Sequence, residues 1–135
     1  MNVSSSNASA RSEQAAPWCV ADSTEVPERG RLIVEVAGTP LGIFRLDGDL
    51  YAYENVCAHQ GGPACQGRLV PRVLEVLDAH MESRGLTFDE SDMHVVCPWH
   101  GFEYSIKTGR HAGVSSLSLR SLPVTEKAGK VYVTL

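Results

Sequence analysis

A chain of 135 residues with 43% apolar content can close one modest hydrophobic core and gives no sign of a second domain. Its formal charge of −4, with Lys and Arg scattered rather than gathered into a stripe, argues against nucleic acid as a partner and favours docking to a basic protein surface. Residues 1–16 are rich in Ser, Asn and Ala and contain no apolar run. They read as a disordered tail with neither signal peptide nor membrane anchor, so a cytoplasmic location is expected, with one folded domain over residues 17–135.

Residues 31–37 (RLIVEVA) and 41–46 (LGIFRL) are β-rich runs joined by Gly38-Thr39-Pro40, and Asp47-Gly48-Asp49 turns the chain into a third run at 50–54. An antiparallel meander is expected. Cys57-Ala58-His59 follows, trailed by Gln60-Gly61-Gly62-Pro63. Pro71 then begins a stretch with Val73, Leu74, Leu77 and Met81 at helical spacing and Gly85 as a stop, which predicts an amphipathic helix over 71–84 packed on the sheet. Residues 86–92 (LTFDESD) read as an acidic connecting loop. Residues 93–97 lead as a strand into Cys97-Pro98-Trp99-His100-Gly101, and residues 102–105 form a hairpin around Lys107-Thr108-Gly109-Arg110. Residues 118–127 and 130–135 close the fold as a pair around Ala128-Gly129. Short strands at regular spacing specify an all-β sandwich or barrel, with the helix as an insertion.

The two Cys/His strings carry the chemistry. Each sets one thiolate beside one imidazole, and each is followed by glycine that lets the backbone bend around an inorganic centre. Together Cys57, His59, Cys97 and His100 are a four-ligand metal set. A structural zinc site is the rival reading, giving a zinc-stabilised interaction module. Zinc fingers, however, usually pair Cys with Cys and His with His, whereas each string here mixes the two.

CAHQGGPAC and CPWHGFEYSIKTGR resemble the two cluster-binding boxes of the Rieske 2Fe-2S family. The resemblance implies an antiparallel β domain with two cluster loops at one tip. It also implies one 2Fe-2S cluster per chain, with Cys57 and Cys97 on one iron and His59 and His100 on the other. In high-potential members an extra cysteine in each box forms a bracing disulfide, and a Ser and a Tyr follow the second His. Here Trp99 stands in the second box, Phe102 takes the Ser position, and Tyr104 remains, which places the potential on the order of −150 mV. Tyr104 reads equally as a hydroxyl beside a cluster sulfur or as a half-buried hairpin aromatic. Cys65 reads as a shielded, unpaired thiol, Cys19 as packing, and His80, His94 and His111 as surface or packing residues.

The expected role is that of an electron carrier and not an enzyme, a Rieske-type ferredoxin that takes electrons from a flavin-dependent reductase and passes them to a terminal non-haem iron oxygenase. A small Rieske subunit of a larger oxidoreductase, such as a nitrite reductase, is the alternative. The departure from the compact pattern is the 37 residues between His59 and Cys97, where the inserted segment sits.

Overall fold

The computed structural model describes residues 16–58, 61–99, 101–114 and 116–135, leaving aside the side chains of 74–76. The expected tail at 1–16 falls almost wholly outside that range, as do His59 and His100. Ten strands are described: β1 (Trp18–Asp22), β2 (Arg31–Val36), β3 (Thr39–Leu46), β4 (Asp49–Glu54), β5 (Arg68–Leu77), β6 (Ser83–Val96), β7 (Glu103–Ser105), β8 (Ser121–Leu122), β9 (Val124–Lys127) and β10 (Lys130–Val133). They form three antiparallel sheets, ordered β1-β10-β9, β2-β3-β4-β8 and β5-β6-β7. The all-β expectation holds.

The middle sheet is the spine, because β3 is buried on both faces. Alternation along it sends Leu41 and Ile43 to one side, where they pack with Val26, Ala52, Leu122, Val131 and Val133. Phe44 and Leu46 face the other side, with Tyr53, Met93, Val95, Tyr104 and Ile106. Each fully buried large side chain contributes roughly 1.5–3 kcal/mol by removal from water. The second cluster also contains Cys57, Cys65 and Cys97, so the thiols are built onto the core. The expected closing pair is present, but its first arm divides at Pro123: β8 joins β4 while β9 joins β10.

The helix expected over 71–84 is not formed. Residues 68–77 and 83–96 are the two strands of a long hairpin, and the acidic stretch 86–92 lies within β6 rather than in a loop. Val70, Val73 and Val76 are β-branched and favour a pleated strand. Pro71 is tolerated because β5 is an edge strand of its sheet. The turn belongs to Asp78: its carboxylate accepts N–H bonds from His80 at 2.8 Å and Glu82 at 3.0 Å, and its backbone exchanges 3.0 Å bonds with Glu82 and Met81. These bonds also hold the Asp78 carboxyl below its ordinary pKa, the backbone N–H of Glu82 foremost. Apolar residues at 73, 77 and 81 are one helical stripe, but 73 and 77 also share one face of a strand.

Candidate metal centre

Two loops at one end of the fold close by the same hydrogen bonds. In the first, Cys57 N–H donates to Gly62 O at 2.7 Å and Gly61 N–H to Cys57 O at 2.9 Å. In the second, Cys97 N–H donates to Phe102 O at 2.7 Å and Gly101 N–H to Cys97 O at 2.9 Å. The glycine four residues after each Cys has positive φ, +77° at Gly61 and +74° at Gly101, a conformation that other residues adopt only with strain. The loops are therefore two copies of one device. They differ in where the His falls, two residues after Cys57 and three after Cys97.

Several contacts hold the loops to the body and to each other. Asn55, itself buried, accepts the N–H of Cys65 at 2.8 Å, and the Arg31 guanidinium from β2 donates to Cys65 O at 2.8 Å and also to Gly67 O. Gly67 must be glycine on steric grounds alone, since a Cβ there would stand 1.5 Å from the carbonyl oxygen of Val96, the residue before Cys97. The exposed Trp99 indole of loop two lies over Gly62 of loop one, where a Cβ would come within 2.7 Å of its ring. Trp99 thus bridges the two loops.

Cys57 and Cys97 are both buried, at 5% and 2% exposure. Tyr104, from β7, is fully buried with its Oη 3.1 Å from Cys57 Sγ, and it accepts the Ala58 N–H at 3.2 Å. Between a thiol and a phenol either atom could donate, but toward a thiolate only the phenol can donate. Burial, and after it the bond to Cys57, raises the Tyr104 pKa above the ordinary phenol range, so the proton stays on oxygen. The choice between sulfur ligand-neighbour and half-buried aromatic is decided for the former. His111 packs edge-on to the Phe102 and Tyr104 rings at 4.8 and 5.7 Å and accepts N–H bonds from Gly113 and Val114 at 2.9 Å each, bracing the same corner.

The donor chemistry suits a dinuclear iron centre: two buried thiols on matched loops, each loop with a His within three residues of its Cys, and a phenol aimed at one sulfur. A model of the Rieske [2Fe-2S] domain matches residues 16–123. The chain belongs to the Rieske [2Fe-2S] family. Its cofactor is the Rieske-type 2Fe-2S cluster, which decides against a zinc site.

Among curated proteins, the chain is similar to the 3-phenylpropionate/cinnamic acid dioxygenase ferredoxin subunit of Photorhabdus laumondii, 26% identical over 113 residues, covering 82% of this chain and 87% of that one. Among solved structures, the ferredoxin in a complex of reduced oxygenase and oxidized ferredoxin from carbazole 1,9a-dioxygenase has the same fold, at TM-score 0.63 and 24% identity, covering 87% of this chain and 92% of that chain. Apo dicamba monooxygenase matches at TM-score 0.63 and 25% identity over 88% of this chain, which spans 33% of that enzyme. The curated proteins that this Rieske protein matches along most of their length include ferredoxin components of dioxygenase systems, which are electron-transfer components and not catalytic subunits.

The remaining expected residues divide. Cys65 is fully buried, and burial pushes its thiol up to about 12 against the opposite pull of Arg31. Its side chain occupies the space above Gly42, where a Cβ would lie 2.6 Å from the sulfur. Cys19, expected to pack, is instead exposed on β1, and His80 is exposed in the hairpin turn. His94 is more than packing: it is 3% exposed on β6, with Nδ1 bonded to Glu103 and Nε2 3.3 Å from Asp92. Alternation in MHVVC, which turns Met93, Val95 and Cys97 inward, was the available signal that His94 lies on the opposite face.

Proposed function

We propose that this protein is the ferredoxin of a ring-hydroxylating or related non-haem iron oxygenase system, taking single electrons from a flavin-dependent reductase and delivering them to the terminal oxygenase. The observation that carries the reading is the pair of matched loops, closing on buried Cys57 and Cys97 at one end of a small β domain. Coverage of nearly the whole of the phenylpropionate dioxygenase ferredoxin subunit supports it.

Cys57 and Cys97 would hold one iron and His59 and His100 the other, within a domain spanning 17–135. The cluster supplies a one-electron couple. The chain's residues shape that couple. Matched backbone bonds fix the two cysteines, Trp99 and Gly67 keep the loops together, and Tyr104 donates to the Cys57 sulfur. The phenol favours the more negative reduced state and raises the potential, while Phe102 offers no second hydroxyl. A cytoplasmic setting agrees with Cys19 and Cys65 forming no disulfide.

Electron paramagnetic resonance before and after dithionite tests the reading. A signal present only after reduction, with the low average g value of mixed His/Cys ligation, is expected. Cys57→Ser, His59→Ala, Cys97→Ser and His100→Ala should each abolish it. A variant keeping the full signal removes that residue from the ligand set, and a silent wild-type protein containing zinc ends the proposal.

A further inference from the structure

The insertion between the two loops forms a structure that electron transfer does not explain. At its base, β5 and β6 pair regularly from Arg68↔Val96 to Pro71↔Met93, and β7 covers the far edge of β6 at residues 94–96. The next pair is Arg72↔Asp89, so three residues of β6, Glu90, Ser91 and Asp92, are extruded as a bulge. Beyond it the chain is a two-stranded ribbon that neither β7 nor any other described strand joins. Its turn lies at the opposite end of β5 from the cluster loop, nine residues or about 30 Å along an extended strand.

The bulge anchors this ribbon to the body. Arg29 holds Glu90 through a 3.1 Å ion pair and a 3.3 Å bond to its carbonyl, while Asp92 receives Ser105 Oγ at 3.1 Å and faces His94 and Arg72. The ribbon therefore leaves the domain at a set angle.

One face of it is apolar and uncovered. Val73 lies opposite Phe88 and Glu75 opposite Leu86, two residues along from Phe88, while Leu77 follows beyond a register irregularity between Glu75 and Leu77. The exposures of Val73, Phe88, Leu86 and Leu77 are 50%, 62%, 68% and 43%, and Met81 in the turn is 73% exposed. A ribbon of two strands is marginally stable by itself, and clustered large apolar side chains on a soluble surface mark an interaction site.

The charge around that face selects the occupant. The ribbon beyond the bulge, residues 72–89, carries four carboxylates against two guanidinium groups, a formal −2, with Asp78 paired to Arg84. A second copy would bring two such ribbons together, and an anionic membrane surface would repel one. The complement is a protein surface with an apolar centre and a Lys/Arg rim.

We propose that the β5–β6 ribbon, through Val73, Leu77, Met81, Leu86 and Phe88, docks onto a basic-rimmed apolar surface of the terminal oxygenase, at a site apart from the cluster loops. The inference rests on the electron-carrier reading above. It gives the protein a second foothold that leaves the loops free to meet the electron donor and acceptor in turn.

The test places a photoreactive benzoylphenylalanine at Phe88, and as control at exposed Lys127, in cells that naturally make the protein, with the adduct identified by mass spectrometry. The expected adduct joins position 88, and not 127, to an oxygenase subunit at a peptide flanked by Lys or Arg. That oxygenase, once purified, is titrated with the holoprotein. A Leu86→Ser/Phe88→Ser variant should bind at least tenfold more weakly with an unchanged resonance spectrum and potential, and Glu82→Lys/Asp89→Lys should weaken binding most at low salt. An adduct to a second copy, to the reductase alone or to nothing, or unchanged affinity in the serine variant, overturns the proposal. If the serine variant reduces the oxygenase as the wild type does, only the ribbon's role falls. If the wild type fails to reduce it, the carrier reading falls with it.

Discussion

Replacing Tyr104 by Phe tests whether the buried phenol sets the reduction potential. The ring fits the space already occupied, so the change is confined to one oxygen that is 3.1 Å from Cys57 Sγ and receives the Ala58 N–H. Removing the donor withdraws a hydrogen bond that strengthens when the cluster gains negative charge. Bonds to charged groups are worth about 1.5–3 kcal/mol, and if roughly half of that is differential between redox states, the potential falls by about 30–65 mV at 59 mV per tenfold for one electron. The stranded Ala58 N–H partly offsets the loss by turning toward sulfur, so the lower half of the range is expected. Protein-film voltammetry at pH 7 measures it, with the resonance spectrum confirming that the cluster is intact. An unchanged or higher potential in an intact variant would refute the assignment of Tyr104 as donor to the sulfur.

Other consequences follow from the same contacts. Gly67→Ala forces a methyl group against Val96 O, where a Cβ would sit at 1.5 Å; the melting temperature should drop by roughly 10 °C with lower iron content, and a wild-type melt would show that the loops do not meet there. Cys65 is buried with its thiol raised to about 12, so at pH 8 a disulfide reagent should modify Cys19 quickly in the holoprotein and reach Cys65 only on unfolding; a second fast thiol contradicts this. Gly42→Ala puts a methyl 2.3 Å from the Cys65 Cβ and 2.6 Å from its sulfur and should destabilise the domain, with Cys65→Gly in the same chain restoring part of the loss in a denaturant titration. The Arg45 guanidinium bonds Glu126 at 2.7 Å and lowers its carboxyl to about 2, so its stabilisation is complete above the ordinary Glu pKa near 4.5 and is lost as pH falls toward 2. Glu126→Gln should flatten that acid limb, and an unaltered pH profile would place the pair among exposed ion pairs of no consequence.

What the sequence alone settled was local chemistry and local periodicity. The strings around Cys57 and Cys97 each hold a Cys, a His and a glycine, and such spacing pointed to the two matched loops because four or five residues make the whole device. The meander of β2, β3 and β4 was equally legible, since alternating apolar residues and Asp47-Gly48 turns act between neighbours. Tertiary structure decided the rest. Val73, Leu77 and Met81 satisfy a helical stripe and a strand face alike, and the tie was broken by partners distant in sequence: Phe88 across the ribbon, Asp78 in the turn, and β7 behind the base of β6. Tyr104 could be read either way until its oxygen was placed against Cys57, 47 residues away. Gly67 and Gly42 carry no signature in the string at all. Their roles are steric, and a close approach between segments exists only once the chain has been folded into contact.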